Sequence, residues 1–116
     1  MHKKVQEFND YRQKMNHKIV ASDNKIIKRI FNLDTNAFKE GHLPLKTKEL
    51  LGLVASAVLR CDDCVQYHLE SSFRLGVSKE EMMETMSIAN LIGGTIMIPH
   101  LRKALEYWEA LEESDL

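Results

Sequence analysis

The 116 residues predict an all-α fold, an antiparallel bundle of about six helices in one domain. Three observations carry this. The length suits a single core. With 5 Gly and 2 Pro against 44% hydrophobic residues, turns are few and a β-sandwich or a disordered chain is disfavoured. Apolar residues recur every three or four positions along most of the chain, and no segment alternates strictly as a half-buried strand does.

Taken in order, Val5, Phe8, Tyr11, Met15 and Ile19 form a narrow apolar stripe on a first helix over about residues 4–20. Ser22 or Asp23 is the expected cap of a second helix that runs to about Phe38, with Ile26, Ile27, Ile30, Phe31 and Leu33 facing inward. Gly41 and Pro44 break the chain between Lys39 and Pro44. A third, mostly buried helix follows from about 45 to Arg60, because Leu50, Leu51, Leu53, Val54, Ala57 and Val58 cover more than one face. CDDCVQYHLESSFR reads as the fourth, with Gly76 placed to terminate it. Ser78 and Glu81 make a capping box for the fifth, whose inner stripe is Met82, Met83, Met86, Ala89 and Ile92. Gly93 and Gly94 should end it, and a last helix from Thr95 or Pro99 carries Leu101, Ala104, Leu105, Trp108 and Leu111. Short connections between such helices favour antiparallel neighbours.

Charge and composition exclude several functions. Sixteen basic and 17 acidic residues give a net charge of −1, which offers no electrostatic footprint for nucleic acid. Residues 1–45 carry a net +4 and residues 46–116 a net −5, an asymmetry read as two solvated faces that can also steer subunits together. No run approaches the roughly 18 apolar residues of a membrane span, and MHKKVQEFND lacks the apolar stretch of a secretory signal, so a cytoplasmic location is expected. In that compartment two cysteines are reactive or metal-binding more often than they are a structural staple.

The cysteines sit in Cys61-Asp62-Asp63-Cys64-Val65-Gln66-Tyr67-His68. Two sulfurs spaced by three at a helix start can close a small disulfide ring, and the free N–H groups there favour a thiolate. His68 lies one turn beyond Cys64 on the same face, where an imidazole can take the thiol proton. Asp62 and Asp63 oppose the thiolate through their charge while also satisfying the helix dipole, which leaves the net sign open. Glu49 heads the third helix. If that helix packs antiparallel to the fourth, Glu49 can reach His68, directly or through a water, and set carboxylate, imidazole and thiol in series.

Other readings of the same residues stand beside this one. The cysteines can be inert packing, or zinc ligands with His68 and either His100 or Glu49. Glu49 can be an ordinary first-turn carboxylate, and His68 a core histidine. Tyr67 is expected to pack between helices, and Met82, Met83, Met86 and Met97 to fill the core or line an apolar pocket. His2, His17, His42 and His100 are expected at the surface or in loops. Gly93-Gly94 follows no strand and so is not a phosphate loop; no cofactor is expected.

Glu49, eleven intervening residues and Cys61-x-x-Cys64-x-x-x-His68 resemble the signature of the AhpD-like alkylhydroperoxidases within the carboxymuconolactone decarboxylase family. KTKELL before the motif and GVSKEEMMETMSIANLIGG after it extend the likeness over about residues 42–110, with the helices of about residues 4–38 preceding it. The resemblance implies an AhpD-like helical domain over 1–116, a homo-oligomer (dimer, trimer or hexamer), and thiol-dependent reduction of a hydroperoxide. It implies Cys64 as the attacking thiol, Cys61 as the resolving one, and His68 with Glu49 as the proton relay, reset by a thiol or a dihydrolipoyl group. The best-described peroxidases of that family carry His between the cysteines where this chain has Asp63. The decarboxylases of that family lack the cysteine pair, so its presence here favours the redox branch; a small-molecule lyase and a non-catalytic redox sensor or binding subunit are the alternatives.

Overall fold

The computed structural model describes residues 1–116 and consists of six α-helices with one 3₁₀ turn. They are α1 (Lys3–Ala21), α2 (Lys25–Ala37), α3 (Leu45–Val58), α4 (Asp62–Arg74), α5 (Lys79–Gly93) and α6 (Ile98–Glu112), with the 3₁₀ turn at Thr95–Met97. α3 is the central element and packs on α4 and α5; α4 also packs on α6, and α1 lies against α6. No helix is long and apolar enough to cross a membrane.

Local chemistry explains the boundaries. Ser22 still donates its N–H to the Lys18 and Ile19 carbonyls, so it ends α1 and does not open α2. Asp23 turns the chain at φ 59°, and the cap of α2 is Asn24, whose side chain accepts from the Ile26 and Ile27 N–H groups. The expected Ser22 or Asp23 cap is corrected accordingly. α3 and α4 both end in the same type of turn. Cys61 N–H reaches back to the Ser56 carbonyl with Arg60 at φ 60°, and Val77 N–H reaches the Ser72 carbonyl with Gly76 at φ 85°. The capping box of Ser78 and Glu81 is formed. Ser78 and Lys46 together hold the Glu81 carboxyl below its ordinary range. The last helix starts between the two expected points, at Ile98, with Pro99 in its first turn.

The core gathers fifteen buried apolar residues, among them Leu53 and Ala57 of α3, Val65 and Leu69 of α4, and Met82, Met86 and Ala89 of α5. Tyr107 and Trp108 of α6 complete it, in edge contact with Phe8 at 5.8 Å and Phe73 at 5.1 Å respectively. Burial and the Glu70 carboxylate push the Tyr107 phenol up, against a smaller opposing pull from Arg12, so it stays protonated.

Two apolar stripes do not face this core. On α2, Ile26, Ile27, Ile30 and Leu33 are exposed rather than inward, Leu33 at 68%, because α2 meets the bundle chiefly through α1. On α5, Met83 and Ile92 are exposed rather than inward, together with Ile88 and with Leu91 at 84%. An apolar stripe shows that a face exists; only the neighbours decide whether it is covered.

Candidate active site

The antiparallel contact of α3 with α4 makes the centre of the site. Glu49 and His68 are 5% and 8% exposed, and His68 Nδ1 lies 2.8 Å from Glu49 Oε2. The contact is direct and needs no intervening water. A carboxylate in its ionised form only accepts, and with that form Nδ1 is the donor and Nε2 faces away from Glu49. Burial is tolerated because each polar group satisfies the other in a site of low dielectric.

Gly52 creates the space. A Cβ at this position would lie 2.7 Å from His68 Cε1, 2.9 Å from Nε2 and 3.0 Å from Nδ1, so the imidazole rests on bare α3 backbone. Phe38, just beyond α2, stacks at a tilt 5.2 Å from the ring, and Tyr67 meets it edge-on at 5.2 Å. The ring is thus held on several sides as well as by its carboxylate.

Cys61 and Cys64 are joined as a disulfide with their Cα atoms 5.3 Å apart. Cys61 is the N-cap of α4, its sulfur accepting from the Cys64 N–H at 3.3 Å. Cys64 is exposed and Cys61 half-buried. The two aspartates between them part company. Asp62 turns toward α6, where His100 Nδ1 approaches at 2.8 Å and Lys103 Nζ at 3.2 Å. Desolvation by itself would raise the Asp62 carboxyl, but these hydrogen bonds and charges outweigh it and hold the group below its ordinary range. Asp63 instead lines a cleft of about 230 Å³ with Arg12, Asp34, Cys64, Tyr67 and His68.

Of the four residues singled out in the sequence, Glu49 and His68 are in contact, Cys61 and Cys64 are bonded, and His68 and Cys64 share the cleft. His100 is not a plain surface residue, because it is committed to Asp62. The zinc alternative requires His100 or Glu49 to join the sulfurs and His68; no three His, Cys, Asp or Glu side chains converge to hold a metal ion. Arg12, Asp34, Phe38 and Gly52 carry no local signal of a role, except that a glycine inside the apolar run ELLGLVA marks a close approach. Arg12 stacks 4.3 Å over the Tyr67 ring and 5.6 Å over Phe8, which brings α1 to the rim. An adjoining depression of about 440 Å³ shares Arg12, Asp34 and Tyr67 and opens toward Ile30 and Phe31.

Residues 25–109 match the model of the carboxymuconolactone decarboxylase family. A crystal structure of a Thermotoga maritima protein is 47% identical and superposes with a TM-score of 0.91, covering 93% of this chain and 95% of that one. A second crystal structure of that protein, with 48% identity, a TM-score of 0.89 and coverage of 92% and 91%, is described as a "carboxymuconolactone decarboxylase family protein possibly involved in antioxidative response". A Legionella pneumophila protein of the same family, at 28% identity, has a TM-score of 0.78 over 95% of this chain and 96% of its own. An uncharacterised Cupriavidus necator protein is 33% identical over 75 residues, which span 65% of this chain and 66% of that protein, just under two thirds of its length.

Proposed function

Because the chain belongs to the carboxymuconolactone decarboxylase family, we propose that it is a thiol-dependent hydroperoxide reductase of that family's redox branch. The observation that carries the reading is a disulfide opening on the same cleft as a buried, carboxylate-held imidazole. In the reduced chain the exposed Cys64 attacks the peroxide as thiolate. The S–O bond forms as the O–O bond breaks, and the leaving alkoxide takes a proton through His68 to depart as alcohol. Glu49 stabilises the imidazolium when His68 holds that proton. Cys61 thiol then attacks the Cys64 sulfenic acid, water leaves, and the disulfide is restored. A dithiol such as a dihydrolipoyl group returns two electrons and two protons. Such a cycle belongs in a reducing compartment, the cytoplasm in our reading.

The description of the Thermotoga maritima relative supports an antioxidative role. The exposed apolar stripes of α2 and α5 support a homo-oligomer, since monomers rarely leave such faces open.

Peroxide consumption driven by reduced lipoamide tests the cycle. We expect Cys64→Ser to abolish it, Cys61→Ser to stop after one sulfenic acid per chain, and His68→Gln to slow it by about 10²-fold or more. Turnover that survives Cys64→Ser refutes the assignment, and lactone decarboxylation by the same variant would establish the lyase alternative.

A further inference from the structure

We propose that Arg12 is the counter-ion of the Cys64 thiolate, an α1 residue that balances Asp63 at the cleft once the disulfide is opened. The inference rests on the thiol-redox reading above and assigns a charge partner to its nucleophile.

The argument is a count of the charges that face Cys64. From α4, Asp63 lines the cleft beside the sulfur, and from α2 Asp34 lines it too; both carboxylates disfavour a second negative charge. Asp62 does not line the cleft and is paired with His100 and Lys103 of α6. His68 is engaged by Glu49 of α3, so the proton on Nδ1 is already opposed by a full carboxylate. Tyr67 is uncharged. Arg12 of α1 is the one lysine or arginine that lines the cleft.

Arg12 is also uncommitted. Its guanidinium is fixed by stacking over Tyr67 and Phe8, yet it forms neither an ion pair nor a hydrogen bond with any protein acceptor, Asp34 and Asp63 included. A guanidinium held in place by aromatic faces keeps its N–H edges available for an anion. The disulfide state carries no charge on sulfur. Reduction by a dithiol breaks the S–S bond with two electrons and two protons, and loss of the Cys64 proton to solvent then places a negative charge in the cleft. That anion is absent from the oxidised chain, which accounts for an unpaired cation in the cleft that Cys64 also lines.

The test uses Cys61→Ser, which leaves Cys64 as the sole cysteine and keeps a good N-cap for α4. The rate of iodoacetamide alkylation against pH gives the midpoint at which Cys64 ionises. Adding Arg12→Met should raise that midpoint and lower the thiolate fraction at a fixed pH below it by about three- to tenfold, the size of one charge acting across a partly hydrated cleft. Arg12→Lys should retain more than half of the effect, Asp63→Asn should move the midpoint down, and the Arg12 difference should shrink in about 1 M salt, where charges are screened within a few ångströms.

A midpoint unchanged in Arg12→Met overturns the proposal, as does an equal shift in Arg12→Met and Arg12→Lys, which would mark a packing effect on Tyr67. Peroxide turnover by the native chain is a separate readout. A chain that fails to turn over but whose Cys64 midpoint follows the charge at position 12 supports the counter-ion and refutes the peroxidase cycle.

Discussion

Gly52→Ala is the most informative single substitution, because two effects of opposite sign meet at one atom. In the middle of α3 the exchange gains about 0.8–1 kcal/mol of helix propensity. The new Cβ, however, lies 2.7 Å from His68 Cε1 and 2.9 Å from Nε2. Ordinary contact begins near 3.4 Å, so the ring must retreat by about 0.7 Å. Phe38 and Tyr67 limit its escape, and the 2.8 Å bond to Glu49 is stretched to the edge of hydrogen bonding. Overpacking costs about 1–3 kcal/mol and a spoiled buried hydrogen bond to a charged group about 1.5–3 kcal/mol. The net expectation is a loss of about 2–5 kcal/mol, and thermal unfolding should fall by about 4 °C per kcal/mol for a chain of this size. The control is the same change in a His68→Ala background, where the obstructing ring is gone and the added methyl should stabilise by about 1 kcal/mol. Melting curves of the four chains decide the matter. If Gly52→Ala stabilises both backgrounds alike, the imidazole does not rest on α3 and the site geometry is wrong.

Asp62→Asn should destabilise the chain slightly at neutral pH, since the native carboxyl is held below its ordinary value by His100 and Lys103 in a contact that solvent partly screens. A lowered folded pKa gives stability that is present above the unfolded value near 3.8 and is lost as pH falls through the folded one, so the two chains should converge in strong acid; urea midpoints that stay parallel into strong acid would contradict this. Ser78→Ala removes the cap of α5 and should lower the melting temperature by about 4 °C, with little change in peroxide turnover per folded chain, read by calorimetry and assay together. Ile30→Glu with Leu33→Glu puts charge on the open face of α2. Sedimentation should show smaller assemblies with helix content preserved by circular dichroism, whereas unchanged assembly would free α2 from any part in self-association.

Helix positions are legible in the sequence because their determinants are local. The spacing of three and four, the Ser78 and Glu81 pair and Gly76 act within one turn of themselves. The Glu49–His68 contact is legible in part for a related reason: rise per residue and an antiparallel neighbour put the two residues about one helical turn out of level across α3 and α4, near enough for long side chains to meet, while the direct bond itself is seen only in the structure. What the chain conceals is the identity of neighbours across space. Ile30, Leu33 and Ile92 have the same spacing as buried residues, and their exposure follows only from where the other helices end. His100 and Asp62 are 38 positions apart, and nothing near either one announces the other. Gly52 lies between these cases, visible as an oddity in an apolar helix yet uninterpretable until an imidazole is placed on it.

The site divides along the same line. The half to which we assign proton handling, Glu49 with Gly52 and His68, is built where α3 packs on α4, with Glu49 and His68 themselves buried. Local opening there requires breaking the core, so the imidazole and its carboxylate keep one geometry. The outer wall, Arg12 and Asp34, comes from α1 and α2, where contacts are fewer and apolar surface is left open. Arg12 also lies before residue 25, outside the segment that matches the family. Acid–base chemistry needs sub-ångström constancy, while admission of different peroxides or reductants needs a surface that can differ from one relative to the next. A chain assembled this way can exchange its rim without disturbing the Glu49–His68 pair, so on the proposed function substitutions at Arg12 or Asp34 should alter thiol ionisation and substrate preference while that bond stays in place.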